Sequence, residues 1–183
     1  MMSNTYLYIG KNGCQIISNP EDKKGAILIS VVCETTQKIS MPTMLVTQNQ
    51  LFENPNSIKE ISDNLSDALL AKHEQNINLE AEDIESLINY GGLIYLKSAK
   101  SIGDDCAGKA VLSLIDSLPL NEIATSLLFF QIHPDFPIMN ISDAIDVMHE
   151  KTSKETPVFL SLIMNESLST EEVRVSMMFS NFK

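Results

Sequence analysis

The segment ATSLLFFQI, residues 124–132, constrains the fold more than any other stretch of this chain. Its apolar residues run almost without interruption, as expected of a buried strand rather than a half-exposed one. GAILISVVC, residues 25–33, has the same character and reads as a strand covered on both faces. Strands of this kind need other layers against them, and the remaining sequence provides helices. The pattern predicts an α/β (α+β) fold: a mixed sheet with helices packed on it.

Before residue 50 the signals are those of strands. TYLYI and CQIIS flank GKNG, whose Asn-Gly pair favours a tight hairpin turn. TMLVT, residues 43–47, is a further short strand. A helix follows over NSIKEISDNLSDALLAK. Ser57 and Glu60 have capping-box spacing, and Ile58, Ile61, Leu65, Ala68 and Leu69 form one apolar stripe. Lys59, Ser62, Asp63, Ser66 and Asp67 occupy the other side, which reads as a solvent-facing flank.

From residue 76 helices and strands alternate. Helical stripes are Ile84, Leu87 and Ile88, then Ala107, Ala110, Val111, Leu114 and Ile115, then Ile141, Ala144 and Ile145. The strands are GLIYLK, ATSLLFFQI, TPVFLSLIM and VRVSMMFS. His133-Pro134-Asp135 reads as a polar turn, because a strand precedes it. The chain divides into a strand-rich segment (1–56), a connecting helix (57–75) and a larger domain (76–183).

The net charge of −11, with 13 Lys and Arg scattered along the chain, repels polyanions and sets nucleic-acid binding aside. No apolar run has the length of a membrane span, and the start MMSNTYLYIGKNG lacks the pattern of a secretory signal. Cys14, Cys33 and Cys106 are odd in number and have no metal-ligand spacing. They read as buried free thiols in a reducing, cytoplasmic setting. No two histidines share metal-ligand spacing, and no nucleophilic triad is recognisable, so neither a metal nor a catalytic residue is assigned.

One stretch remains: NINLEAEDIESLINYGG, residues 76–92, where Glu80, Glu82 and Asp83 crowd one turn behind Asn78. Acids in a first helical turn complement the helix dipole by about 0.3–1 kcal/mol each, and Asn is a good cap. That is an adequate structural account of all four.

The order of elements gives a second account. PVFLSLIMNESLSTEEVRVSMMFSNF resembles the final strand pair of the tubulin/FtsZ family, with Val158–Ile163, Asn165–Leu168, Glu172 and Val173–Met177 in the matching roles. LLFFQIHPDFPIMNISDAIDVM is similar to the strand, turn and helix before that pair. NLSDALLAK looks like the end of the long helix joining the two FtsZ domains. GAILISVV and TMLVTQNQLF look like late strands of the nucleotide-binding domain. The resemblance covers about four-fifths of the chain.

That resemblance implies a C-terminal-like domain preceded by a remnant of the nucleotide domain. The family carries N-x-D-x-x-D at the foot of the joining helix, a loop that enters the neighbouring subunit's nucleotide pocket and orients the attacking water. Asn78, Glu80 and Asp83 fall on those positions. Glu80 departs from the pattern, keeping the charge but moving the carboxylate outward by a methylene. The family's G-G-G-T-G-T-G phosphate loop has no counterpart among the chain's 7 glycines, so no GTP site, cofactor or independent enzymatic activity is expected.

The resemblance thus implies a truncated FtsZ-related protein acting by protein–protein interaction. Its partner would be full-length FtsZ, whose filaments it would cap or modulate, with Asn78, Glu80 and Asp83 as the interaction loop. Two alternatives stay open. The acids complete a partner's GTP site in trans, or the chain is a self-associating module that uses strand edges of its N-terminal segment.

Overall fold

The computed structural model describes residues 5–19, 27–32, 41–45, 56–70, 74, 76–89, 93–116, 118, 123–152 and 155–181. Its strands are β1 (Thr5–Gly10), β2 (Gly13–Ile17), β3 (Ile27–Val32), β4 (Thr43–Leu45), β5 (Leu93–Ile102), β6 (Ile123–Ile132), β7 (Val158–Met164) and β8 (Glu172–Asn181). Its helices are α1 (Asn56–Leu70), α2 (Ala81–Asn89), α3 (Cys106–Ile115) and α4 (Met139–Lys151). All the strands join one mixed eight-stranded sheet in the order β2-β1-β3-β4-β5-β8-β6-β7. β4 pairs in parallel with β5 through Thr43↔Leu93, Met44↔Ile94 and Leu45↔Tyr95. The strands before the connecting helix and those after it therefore belong to the same sheet.

Helices cover this sheet from opposite sides. Ile61, Leu65 and Ala68 of α1 and Ile84 and Leu87 of α2 pack with Leu7, Ile29, Ile94, Leu127, Phe129 and Met178. Ala107, Val111 and Leu114 of α3 and Ile141, Ala144 and Met148 of α4 pack with Leu128, Phe130, Val175, Met177 and Phe179. Consecutive strand residues point to opposite faces, so Phe129 enters the first core and Phe130 the second. The unbroken apolar run of β6 reflects that double burial. β3 differs from its expectation: Ile29 and Val31 are buried, whereas Leu28, Ser30 and Val32 are only half-buried. The second helical layer lies over β5, β6 and β8 and leaves β3 covered fully on one side only.

The hairpin forms at GKNG as its sequence predicts. Gly10 and Gly13 pair across a two-residue loop, and Gly13 takes the left-handed backbone at φ +83°. Lys11 and Asn12 keep negative φ, so the turn is of the type completed by a left-handed glycine rather than a primed one. A Cβ on Gly13 would lie 2.8 Å from Ser66 Oγ and 3.0 Å from Leu70 Cδ1. Glycine here lets β2 approach α1 closely.

That approach corrects the expected solvent-facing flank of α1. Ser62 (5 % exposed) and Ser66 (8 %) are buried against β2, the outermost strand. Ser66 Oγ accepts from Cys14 N at 2.8 Å and donates to Cys14 O at 2.9 Å. Ser62 Oγ donates to the same carbonyl at 3.3 Å. The serines thus satisfy backbone groups of an edge strand that would otherwise be buried unpaired. Asn64 is buried as well and accepts from Gln131 Nε2 at 2.8 Å, while Lys59 and Asp63 remain in solvent. The expected flank is therefore divided: Ser62 and Ser66 hydrogen-bond inside, whereas Lys59 and Asp63 are wetted and Asp67 is half-buried. The capping pair expected of Ser57 lies outside the described side chains.

Cys14 and Cys106 are free and buried, as expected, and Cys33 lies outside the described residues. Burial pushes the Cys14 thiol up from 9.0 to about 11. The folded state therefore prefers the neutral thiol. The stability this contributes is present below about pH 9 and is lost as pH rises toward about 11. It amounts to about 2–3 kcal/mol. Unfolding of wild type and Cys14→Ala, compared from pH 8 to 11 in urea, should show wild type alone losing that increment.

Candidate interaction site

The stretch from Asn76 to Asp83 is pinned at Asn76, Ile77 and Leu79 to the two elements beside it. Asn76 Oδ1 accepts from Met164 N at 3.0 Å. Ile77 forms an antiparallel bridge with Leu162, donating to its carbonyl at 3.1 Å and accepting from its N–H at 3.3 Å. Ser161 Oγ also donates to Ile77 O, at 2.9 Å. Leu79 is buried, and its N–H donates to Ala68 O near the end of α1 at 3.1 Å. The loop thus closes the outer edge of β7, the last strand of the sheet, and ties it to α1.

α2 then begins with a back-bonded cap. Asp83 Oδ2 accepts from Glu80 N at 2.9 Å, and Asp83 N donates to Glu80 O at 3.1 Å. This is the reciprocal half of a capping box, in which a third-position carboxylate satisfies an orphan N–H. Glu82 and Asp83 lie in the first turn, where they favour the positive end of the helix dipole. Ile84 and Leu87 are buried below them, and Ile88 packs against the same core.

The three loop residues singled out in the sequence therefore differ in state. Asn78 and Glu80 are exposed, and Asp83 is half-buried with one carboxylate oxygen held by the cap. Between Asn76 and Asn89 the chain has Glu80, Glu82, Asp83 and Glu85 and no Lys or Arg, so the face is anionic. Glu80 projects an exposed carboxylate, without a partner among the described residues, from a backbone fixed on both sides. Such a group can accept hydrogen bonds, hold a water molecule or meet a cation contributed by a partner. Among the described residues no group of three His, Cys, Asp or Glu could hold a metal ion. Sequence pattern identified the acids, but it missed the anchors Asn76 and Ser161. Both are small polar residues whose partners lie more than 80 positions away.

The cap carries a direct expectation. Asp83→Ala removes the acceptor for Glu80 N and should destabilise the start of α2 by about 1 kcal/mol, within the usual 0.5–2 range for a lost cap. Amide exchange should accelerate at Glu80–Ile84 while the β6 amides keep their protection.

The four described glycines have structural duties. Gly10 and Gly13 shape the hairpin, Gly103 turns β5 toward α3 at φ +91°, and Gly108 lies against the Asp105 carboxylate. The polar turn expected at His133 forms directly after β6, with Phe136 N donating to His133 O at 2.9 Å and Asp135 N to His133 Nδ1 at 3.1 Å. No helix among the described residues is long and apolar enough to cross a membrane.

Comparison with known proteins identifies relatives of this arrangement. No family model matches the chain. The cell division protein FtsZ of one Helicobacter pylori strain is 27 % identical over 106 residues, covering 55 % of this chain and 28 % of the relative. FtsZ of a second strain is 26 % identical over the same extent. The chain therefore spans little more than a quarter of the length of these curated relatives. Among solved structures, a mutant FtsZ of M. jannaschii superposes with a TM-score of 0.57 at 17 % identity, over 76 % of this chain and 46 % of that one. An empty FtsZ dimer from the same organism gives 0.56 at 18 %, over 75 % and 44 %. The mixed sheet with its helical layers is the fold these structures share with it.

Proposed function

We propose that this chain, homologous to the FtsZ/tubulin family, docks through its 76–83 loop onto the nucleotide-binding face of a full-length FtsZ in the cytoplasm and caps the filament there. The observation that carries this reading is the loop itself. Asn78 and Glu80 stand exposed on a backbone held by five hydrogen bonds to β7 and α1, at the positions where the family's filament-contacting loop is expected. A preformed loop loses little conformational entropy on docking, which favours binding.

The chain would occupy one end of a filament and offer no phosphate-binding loop to the next subunit. Growth at that end would stop. The effect would be substoichiometric, because one bound molecule blocks a whole filament. Light scattering of a full-length FtsZ with GTP, titrated with this protein, tests the proposal. Capping lowers filament length at ratios well below one to one, whereas unchanged scattering at excess protein, with no complex in sedimentation, rules it out.

Action in trans on the partner's GTP is the second reading, supported by the exposed Glu80 carboxylate. Self-association through N-terminal strand edges has less support. The outermost strand β2 has its Cys14 backbone groups occupied by Ser62 and Ser66, and at the other edge β7 is bridged at Leu162 by Ile77.

A further inference from the structure

The geometry points to a phosphate-binding site on the α1 side of β5 and β8, built from Lys100, Arg174, Ser98 and Ser176. Lys100 and Arg174 are direct cross-strand partners, so their side chains leave the same face side by side. Two residues along the ladder, on the same face, Ser98 pairs with Ser176, and their hydroxyls lie 3.0 Å apart. These four residues and Glu60 of α1 line a recess of about 340 Å³.

Two cations directly opposite each other in a sheet repel. The chain has 24 acids against 13 Lys and Arg, yet it sets no carboxylate across from either of these two. Among the described residues the only ion pair made by Arg174 is Nε to Glu172 Oε1 at 3.3 Å, which leaves its two Nη groups outside that pair. Glu60, on the opposite wall, accepts from Gln131 Nε2 at 3.3 Å and forms no ion pair with Lys100 or Arg174. Two cations set side by side in a recess can attract an anion even with Glu60 and Glu172 beside them.

The chemistry favours a phosphate group. A guanidinium edge engages two oxygens in a planar fork, an ammonium adds a point charge, and the Ser98–Ser176 pair, which keeps one proton between its two oxygens, donates the other to a remaining oxygen. Glu172, already paired with Arg174, offsets part of the charge of the two cations. Free phosphate and a small phosphate monoester present the same group. Glu60 opposes the anion and limits its affinity.

The test is an NMR titration of the whole chain with inorganic phosphate and, separately, glycerol phosphate, against sodium chloride of equal ionic strength. Saturable shifts at residues 98–100 and 174–176, absent in chloride, are expected with one or both phosphates. Lys100→Gln and Arg174→Gln should each weaken binding about tenfold or more, and Glu60→Gln should tighten it several-fold. Without phosphate, Lys100→Gln should melt no lower than wild type, because it relieves the repulsion. Shifts that chloride reproduces, neither phosphate binding, or wild-type affinity in Lys100→Gln would each overturn the assignment. So would a Lys100→Gln protein that melts below wild type, since the cation would then serve the sheet rather than a ligand.

Discussion

Phe129→Ala should lower folding stability by about 3–5 kcal/mol, the cost of removing a fully buried aromatic side chain and leaving its cavity. A domain of this size has about 5–15 kcal/mol to lose. Phe129 is completely buried in the core under α1 and α2, on a strand hydrogen-bonded on both sides to β8 and β7. Leu127, Ile94 and Met178 around it come from three different strands, so no single neighbour can collapse into the space. Urea unfolding should show the midpoint falling sharply at unchanged slope. Ile102→Ala is the control. That side chain is 63 % exposed and its truncation should stay within about 0.5 kcal/mol of wild type. A Phe129→Ala loss below about 1 kcal/mol would mean that the continuous sheet is not the stable core.

Much of this fold is legible in the sequence because its signals are local. The unbroken apolar run at 124–132 gives a buried strand, the stripe from Ala107 to Ile115 gives α3, and the acids after Asn78 mark the start of α2. The hairpin follows from Asn12-Gly13. What escapes local reading is pairing over distance. Nothing in TMLVT shows that Thr43–Leu45 pairs with Leu93–Tyr95 and joins the early strands to the later sheet. Ser62 and Ser66 look like solvent-facing residues because helical periodicity counts them as polar. Their partner is the backbone of Cys14, about fifty positions earlier, and a backbone partner leaves no trace in side-chain pattern. GLIYLK suggests a six-residue strand, yet β5 extends through Ile102, because its cross-strand partners in β8 continue to Glu172. The candidate loop was legible as a set of acids. That Asp83 serves the cap while Glu80 stays exposed depends on rotamers and on the course of the backbone.

Asn78→Trp and Glu80→Gln should separate docking from chemistry. Both residues are exposed, so neither change should move the melting temperature appreciably. An indole at position 78 adds bulk to a backbone that Ile77 and Leu79 hold on either side, leaving it no room to retreat into the fold. Closely packed interfaces tolerate such additions poorly, and capping of FtsZ should weaken by about tenfold or more. Glu80→Gln keeps the shape and the Glu80 backbone cap and removes only the charge. A protein that works purely as a cap should then retain its potency within about threefold. If the wild-type chain also speeds GTP turnover by its partner, a carboxylate must orient the attacking water. The amide should then abolish that gain while capping persists. Wild-type capping by Asn78→Trp would place the contact surface elsewhere on the molecule, because no close interface centred on this loop can accommodate the larger side chain.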